Sequence, residues 1–379
     1  MQVLSDLECS VCRLRFLRDL PQGFAMDHPV TIAADGKVMD GDTVPFWIME
    51  PFLKGFRNRN DAPINIERRV FKVHRRVIVL NTLDFLYGHV LLKLYNAQHY
   101  MDNYPDHGLV VVLPRMYEWL IPKGCAEAWI IDLRLGGMQG WHNAFNNFVQ
   151  QRMGDYDEVQ LGKGYSHPDF TEVDIERYTG IKPFDLANFT MAPKHVTFVA
   201  RQDRLWYRWP ACKLAHRALR KVGLGKLLNG LFVADQECLV RRSMARIRGS
   251  QPGITFSIVG LGEPRDHAQD VNDLRTTRMD TVIERSWCEA YARSQVVVGV
   301  HGSNMLLPTA LAAGCVEILP HDRQGNVVQD ISVRYNDRMQ LFLYRFVTEF
   351  ARPVEIDRQV SAMFDHFSVF ERNNRINIF

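Results

Sequence analysis

The chain has 379 residues, and its 46 lysine and arginine side chains against 43 aspartate and glutamate side chains leave a net charge of +3. So balanced a charge gives no reason to expect a nucleic-acid partner. Hydrophobic residues make up 46% of the chain and charged residues 23%, which is the composition of a globular protein and excludes a disordered one. The length favours two domains over one.

The sequence predicts neither a secretory signal nor a membrane span. The first 20 residues carry charges where a signal peptide would be apolar, and no apolar run reaches the roughly 18 residues that a spanning helix needs. The seven cysteines are scattered, and the close pair Cys9 and Cys12 has no second pair to complete a zinc site. We therefore expect a cytoplasmic protein with reduced thiols.

The elements predicted in the first half alternate between strands and helices. The first 75 residues mix turns with short strands. Short apolar runs, most of them rich in β-branched residues, then predict strands, and apolar residues at helical spacing predict helices between them. The predicted strands are 75–83, 108–114, 127–133 and 157–162, and the predicted helices are 84–105 and 138–153. This alternation is typical of parallel βαβ units.

A second alternating set follows residues 182–194, a proline-containing stretch that we interpret as a linker. Strands are predicted from 195, at 254–260 and at 296–300, helices at 213–231, 236–250 and 283–295, and a mostly helical segment at the end. The fold class expected is α/β, with two Rossmann-like domains facing a central cleft. The expected domains are 1–190, 191–330 and a helical segment 331–379 that packs back on them.

The sequence HGSN, residues 301–304, follows the strand 296–300 at its carboxyl end. Gly302 allows a tight turn or a close approach to a ligand, and Ser303 or Asn304 can cap the next helix. Backbone amides at such a helix start favour an anion, usually phosphate. The strand after the helix contains Glu317, a residue type that commonly accepts hydrogen bonds from ribose hydroxyls. The alternative is a capped helix beside a structural His301.

Two arginines follow the strand that begins at residue 195. Arg201 and Arg204 lie at its carboxyl end, where two guanidinium groups can clamp a diphosphate through bidentate hydrogen bonds. The alternative is an arginine cluster that pairs with Asp203. Together with residues 301–304, the two arginines suit a nucleotide diphosphate.

In the first half, His89 lies early in a helix that follows a strand. A histidine there can act as the general base on an acceptor hydroxyl, although a lone histidine on an amphipathic helix is more often structural. Asp84, at the junction of strand and helix, is the competing base, and His142 is a weaker candidate. These residues predict a proton-accepting site in the first domain.

Three further stretches are weaker. Asp155 and Asp157 have the spacing for a metal–diphosphate, although Asp157 more plausibly begins a strand. Residues 259–266, VGLGEPRD, lack the spacing of a dinucleotide fingerprint but suit the lining of a base pocket. Residues 213–232 combine basic residues with leucines, as in a helix on an anionic membrane surface, or simply form a solvated helix face.

The two-domain pattern with a diphosphate site in the second domain resembles the GT-B glycosyltransferases. More narrowly, ARQDRLWYR followed far downstream by HGSNMLLPTALAAGCVEILP resembles the arginine segment and the HGAG-type loop of the family 61 glycosyltransferases. His89, in LYGHVLLKL, matches the family's first-domain histidine. Ser303 and Asn304 replace the usual Ala-Gly of the loop, and the first 70 residues have no counterpart.

This resemblance implies an inverting, metal-independent glycosyltransferase, a hexosyl- or pentosyltransferase. It would move a sugar from a nucleotide-diphosphate sugar to a hydroxyl of a glycan or glycolipid acceptor, with no cofactor required. The catalytic residues would be His89 or Asp84, and the donor would bind at 201–204, 301–304 and Glu317. Two other functions stay open: a non-catalytic nucleotide- or carbohydrate-binding protein of the same architecture, and a nucleotide-sugar epimerase.

Overall fold

The computed structural model describes residues 4–19, 30–40, 46–138, 140–164, 172–327 and 337–375. The chain divides into two compact units, residues 1–169 and residues 170–379. Each unit is built on one largely parallel β-sheet with helices between its strands, so both are Rossmann-like α/β units as the alternating pattern predicts.

The leading segment forms a four-stranded antiparallel sheet of the first unit, in the order β1-β2-β3-β4, followed by a helix. Its elements are β1 Leu4–Glu8, β2 Arg15–Asp19, β3 Thr31–Ile32, β4 Val38–Asp40 and α1 Phe46–Arg57. Ile32, Phe52 and Trp141 are buried together in a small core that joins this sheet to the rest of the unit. Cys9 and Cys12 lie between β1 and β2, and all seven cysteines of the chain are free thiols.

The main sheet of the first unit has five strands in the order β5-β8-β7-β6-β9, and only β5 is antiparallel to its neighbour. The strands are β5 Ile66–Val70, β6 Arg76–Asn81, β7 Gly108–Pro114, β8 Glu127–Ile131 and β9 Glu158–Gly162. The helices are α2 Tyr87–Tyr95, α3 Ala97–Asn103, α4 Asn143–Met153 and α5 Ile175–Thr179, the last belonging to the second unit by its position in the chain. All four strands predicted in this half are confirmed, while the helix predicted at 84–105 is divided at Asn96.

The sheet of the second unit has six parallel strands in the order β12-β11-β10-β13-β14-β15. The strands are β10 His195–Val199, β11 Thr255–Val259, β12 Val271–Asp273, β13 Val296–Val300, β14 Gly314–Leu319 and β15 Tyr344–Thr348. The helices are α6 Pro210–Lys221, α7 Gly225–Ser250, α8 Thr281–Ala292, α9 Leu306–Leu311, α10 Asp337–Leu343 and α11 Pro353–Arg375. The predicted central strands are therefore confirmed in this half as well.

Side chains alternate between the two faces of this sheet. Phe198, Val298 and Val316 share one face and pack in a single core with Leu239 of α7 and Phe367 of α11. The intervening residues point to the opposite face, because successive side chains of a strand alternate. The sheet therefore has one face covered by α7 and α11, and its other face carries Gly299 and Glu317, which are paired in register.

The segment predicted as a linker packs into the second unit, so the unit boundary falls at 169/170 and not near residue 190. Phe189 is buried in the second core, where its ring stacks on Phe367 at 4.0 Å between centroids. The Phe184 N–H also donates to the Leu311 carbonyl at 2.8 Å. Residues 182–194 have no helical or strand periodicity, so periodicity alone does not reveal that their aromatic residues pack in a core.

The segment 331–379, predicted to be helical and to pack back on the domains, belongs to the second unit. Its described part contains α10 and α11, as predicted, but β15 between them pairs with β14 along five residues and extends the sheet. The sequence of β15, YRFVT, is short and flanked by helical patterns, which is why the strand is not predicted.

Candidate functional site

The carboxyl ends of β10 and β13 form the topological switch point of the second sheet. From β10 the chain moves to β11 on one side, and it returns to β13 on the other side. In open α/β sheets the loops at such a switch point diverge and leave a crevice for ligands. The two loops here carry Arg201, Arg204 and residues 301–304, which are the residues predicted to bind the donor.

His301 and Glu317 form a buried pair directly beneath the loop that follows β13. Their side chains are 2% and 0% exposed, and His301 Nδ1 donates to Glu317 Oε2. The pairing follows from the strand register. Glu317 pairs with Gly299, and His301, two residues after Gly299, continues on the same face of the sheet. Glu317 was predicted to contact a ribose, but its burial gives it another position: it holds the imidazole from inside the fold.

Arg204 lies against the turn at Gly302. Arg204 Nη1 donates to the His301 carbonyl at 2.8 Å. Gly302 has φ +138°, and a Cβ atom at this position would lie 1.1 Å from Arg204 Nη1. Glycine is therefore required for the backbone conformation and for the close approach of the guanidinium group. The structure brings these two predicted residues together.

The turn itself differs from the predicted capped helix. Residues 303–305 form a short 3₁₀ turn, and Gly302 stands at its cap position without a side-chain cap bond. Asn304 Nδ2 instead donates backwards to the Val300 carbonyl at 3.2 Å. Among the described residues, the backbone N–H groups of Ser303 and Asn304 donate to no backbone acceptor. Since α9 spans only six residues, these amides and the nearby arginine, rather than a long helix dipole, would attract an anion.

Arg201 pairs with Asp203, which was the alternative to a diphosphate clamp. Its Nε and Nη2 donate to the two carboxylate oxygens of Asp203 at 2.8 and 2.7 Å. A bidentate pair of this kind neutralises the guanidinium group and fixes the loop after β10. The backbone of the same loop is held by Gln236 of α7, whose Nε2 donates to the Arg201 carbonyl at 3.2 Å. Of the two predicted arginines, Arg204 contacts the turn at residues 301–304 through its hydrogen bond to the His301 carbonyl.

In the first unit, the switch point lies at the carboxyl end of β6, because β7 and β9 flank this strand on opposite sides. Asp84 and His89 follow β6 directly, and the structure brings them together: His89 Nδ1 lies 3.5 Å from Asp84 Oδ2. The His89 side chain is 36% exposed, whereas that of Asp84 is 13% exposed. The two competing bases are therefore neighbours, with the histidine on the accessible side.

Lys93 is a residue of this site that the sequence interpretation missed. Its side chain is 3% exposed, and Nζ donates to Asp84 Oδ2 at 2.8 Å and to the Leu83 carbonyl at 3.1 Å. Burial of Asp84 favours its neutral form, but the contacts from His89 and Lys93 hold the pKa of this carboxyl well below its usual value. A lysine among the buried leucines of α2 was the available signal.

These contacts divide the roles of the two predicted catalytic residues. A carboxylate held ionised by a buried lysine is a weak base at neutral pH. It is well suited to orient a neighbouring imidazole, as the carboxylate of a catalytic triad does. This geometry would let His89 transfer a proton while Asp84 positions its ring.

The weaker candidates occupy structural positions. His142 is 6% exposed and precedes α4. Asp155 pairs with Arg68 at 3.0 Å, and Asp157 pairs with Arg75 at 2.7 Å, just before the amino end of β9. In the described part of the chain, no group of three or more His, Cys, Asp or Glu side chains is placed to hold a metal ion.

Residues 259–266 contribute a close backbone contact and no phosphate loop. Gly260 has φ +120°, and a Cβ atom there would lie 2.5 Å from the Ala200 carbonyl oxygen. This glycine therefore allows the loops after β10 and β11 to touch. Beyond it, Arg275 pairs with Asp273 and Glu237 in a buried network at the end of β12.

The stretch 213–232 exposes its apolar residues. Four large apolar side chains are between 64% and 79% exposed: Leu214, Val222, Leu227 and Leu231. Arg217, Arg220 and Lys221 are exposed beside them. None of the helices formed by the described residues combines the length and apolar character needed to cross a bilayer.

No protein-family model matches this chain, and no curated protein matches it either. Solved structures with a detectable similarity include the E. coli ADP-heptose LPS heptosyltransferase II, with 9% identity, a TM-score of 0.41, and coverage of 77% of this chain and 99% of that one. Another is the E. coli heptosyltransferase WaaC with ADP, with 11% identity, a TM-score of 0.39, and coverage of 78% and 99%.

A third similar structure is the dodecameric iron-containing heptosyltransferase TibC in complex with ADP-D-β-D-heptose, with 12% identity, a TM-score of 0.28, and coverage of 66% of this chain and 60% of that one. At such identities and TM-scores, these similarities carry no inference about the reaction of this chain.

Proposed function

We propose that this protein is a GT-B-type glycosyltransferase that uses a nucleotide-diphosphate sugar as its donor. The observation that carries the proposal is the turn at the end of β13, where Arg204 lies against Gly302. Two backbone amides of the same turn donate to no backbone acceptor among the described residues. A cation and neighbouring amides at a switch point are suited to a diphosphate. The HGSN motif adds the sequence resemblance to family 61.

The reaction proposed is an inverting transfer. His89, oriented by Asp84, removes the proton from an acceptor hydroxyl, and the oxygen forms a bond to the anomeric carbon of the sugar. The bond between this carbon and the diphosphate oxygen breaks, and negative charge develops on the leaving diphosphate. Arg204 and the amides of Ser303 and Asn304 stabilise that charge. No step of the proposal uses a metal ion or a cofactor.

His301 and Glu317 support the donor site from below. Their buried pair fixes the end of β13, and the His301 carbonyl accepts the hydrogen bond that positions Arg204. Arg201 acts one step further away, because its pair with Asp203 shapes the loop that carries Arg204. Both contributions are positioning roles in the proposal.

The acceptor proposed is a glycan or glycolipid at a membrane surface, with the protein peripheral to it. The observation behind this part is the set of exposed apolar side chains in residues 213–232 next to basic ones. Such a surface suits an anionic bilayer. We expect Leu214→Gln/Leu227→Gln to reduce co-sedimentation with anionic vesicles relative to the wild type; equal sedimentation would remove the membrane from the proposal.

Thermal unfolding in the presence of UDP, GDP, ADP, CMP or dTDP tests the donor site. A nucleotide at about 100 times its Kd stabilises the protein by roughly 2.7 kcal/mol, a shift of a few degrees. We expect one nucleoside diphosphate to produce the shift, Arg204→Ala to abolish it, and the control Arg241→Ala to keep it. A folded wild-type protein that responds to none of them would refute the proposed donor site.

A turnover assay distinguishes the proposed transferase from the two alternative functions, an epimerase and a non-catalytic binding protein. With the nucleotide sugar identified by the binding assay, we expect release of the nucleoside diphosphate only when an acceptor is present. An epimerase would change the sugar without releasing the nucleotide. For a non-catalytic binding protein, the nucleotide would raise the unfolding temperature, and no turnover would be detected.

A further inference from the structure

A cavity of about 650 Å³ opens in the second unit beside α7 and the first turn of α11. It is on the opposite face of the sheet from the pair of His301 and Glu317, because Leu239 both lines it and belongs to the core on the α7 and α11 face. Its lining also includes four arginines, Arg208, Arg242, Arg246 and Arg352. Arg242, Arg246 and Arg352 are exposed and Arg208 is partly buried, so solvent screens part of the repulsion among these like charges and a bound anion would relieve the rest.

Carboxylates of the protein neutralise only part of this charge. Arg208 Nη2 pairs with Asp235 at 2.6 Å, and Arg352 Nε lies 3.4 Å from Glu355. Among the described residues, the other two arginines of the cavity have no ion-pair partner. The cavity therefore keeps two uncompensated positive charges, which matches a ligand group with about two negative charges.

One donor of Arg208, its Nε, is closed off from solvent and therefore from the cavity. This atom has no hydrogen-bond acceptor in the described part of the chain. A buried donor without an acceptor costs about 1–3 kcal/mol, so such donors usually have a partner. The side chain lines the cavity through its other atoms, and its Nη2 is held by Asp235. The amino end of α11, at Pro353, adds partial positive charge at the same place.

The remaining walls are apolar. Leu239, Ala351 and Val354 line the cavity with the ring of Trp209, which is 56% exposed. A volume of several hundred Å³ is typical of sites for organic ligands and exceeds what a bare inorganic ion needs. The lining therefore fits a molecule that joins a phosphate group to an apolar or aromatic portion.

We propose that this cavity is a second ligand site, separate from the donor turn, that binds a phosphorylated organic molecule. Arg242 and Arg246 contact the phosphate oxygens, and the apolar walls hold the carbon skeleton. The phosphate is that of a lipid headgroup or that of a small soluble metabolite. This site does not depend on the proposed transferase activity.

Isothermal titration calorimetry with two probes tests the site: inorganic pyrophosphate, and monomeric dihexanoyl phosphatidic acid below its micelle concentration. We expect both to bind the wild-type protein. Arg242→Gln/Arg246→Gln removes two charge-assisted contacts and should weaken binding by at least about tenfold. Arg241→Gln is the matched control, because it removes a charge from an exposed neighbour on the same helix that does not line the cavity.

Arg204→Ala separates this site from the donor turn, which also attracts phosphate. We expect this variant to lose only the pyrophosphate binding that belongs to the donor turn and to keep binding both probes at the cavity. Tighter binding of the phosphatidic acid than of pyrophosphate would identify a lipid as the source of the phosphate, and the reverse order a soluble compound. Absence of binding to the wild type, unchanged binding to Arg242→Gln/Arg246→Gln, or loss of binding to both probes in Arg204→Ala would each overturn the proposal.

Discussion

The two units each place a histidine beside a carboxylate after a central strand, yet the two pairs differ in almost every other respect. His89 is 36% exposed and lies 3.5 Å from Asp84. His301 is 2% exposed and is hydrogen-bonded to a fully buried Glu317. A histidine that must exchange protons with a substrate needs an accessible ring, whereas a buried and bonded ring fixes its surroundings. Burial, rather than residue type, therefore separates the chemical role proposed for His89 from the positioning role proposed for His301.

Substitution of His89 should give the largest effect. We expect His89→Ala to reduce turnover by roughly 10²–10⁴-fold, the usual contribution of a general base, while nucleotide binding stays unchanged. Steady-state kinetics and the nucleotide-induced thermal shift measure the two quantities. His99→Ala, on the exposed side of α3, is the matched control. Turnover within twofold of the wild type would move the base to another residue.

Asp84→Asn tests whether the first pair rests on a buried ion pair. The variant leaves Lys93, 3% exposed, without its carboxylate, and breaking a buried pair costs about 3 kcal/mol of unfolding free energy. Denaturant midpoints at pH 7 measure the loss. Asp106→Asn, on an exposed carboxylate of the same unit, should change little.

The stability difference between the wild type and Asp84→Asn should depend on pH in the acid range. Because the pKa of Asp84 is held below its usual value by His89 and Lys93, its stabilising contribution is fully present above the unfolded-state pKa of about 4 and is lost as the pH falls towards the lowered value. The difference in unfolding free energy between the wild type and Asp84→Asn should therefore become smaller below about pH 4. A difference in unfolding free energy that stays constant down to pH 2 would contradict an ionised Asp84.

Glu317→Gln tests the second pair with a smaller expected change. Glutamine keeps the shape and one hydrogen bond but removes the charge, so we expect a loss of about 2 kcal/mol. Thermal unfolding measures it, and Glu289→Gln, which alters an exposed carboxylate of α8, is the control. Equal stability of the two variants would mean that the buried pair does not fix the end of β13.

Gly302→Ala should have the smallest effect on stability and a selective effect on binding. The new Cβ atom would displace the Arg204 guanidinium, whose Nη1 lies 1.1 Å from its position, and φ +138° is strained for alanine. We expect nucleotide affinity to fall about tenfold, or about 1.4 kcal/mol. Gly325→Ala, whose Cβ atom would meet nothing within 4 Å, should bind as the wild type does. Equal affinity of both variants would exclude Arg204 from the site.

The central strands were predictable because the information is local. Runs such as VVVGV and GLVVVLP are short, apolar and β-branched, and they become β13 and β7. The turn at 301–304 was found for the same reason, since a glycine directly after a buried strand marks it. Its proposed cap was wrong, because Asn304 bonds back to the Val300 carbonyl and not forward into the helix.

The features that sequence reading missed depend on distant parts of the chain. β15 forms a strand because β14 offers it an edge, and the stretch 182–194 belongs to the second unit because Phe189 finds Phe367. Lys93, in the last turn of α2, joins the site of Asp84 because its side chain reaches back to Leu83 and Asp84 after β6. For the first two features, no window of neighbouring residues contains both partners.

The sequence by itself determined the α/β class, the positions of the central strands along the chain and the places where a histidine, a glycine and the arginines follow a strand, because periodicity and turn chemistry are local properties. The tertiary structure decided which of these residues meet. Strand order placed both histidine pairs at switch points, register put Glu317 beneath His301, and helix packing gathered four arginines around one cavity. Pairing and burial arise only when segments far apart in the chain are brought together, and these two properties distinguish a catalytic candidate from a structural one.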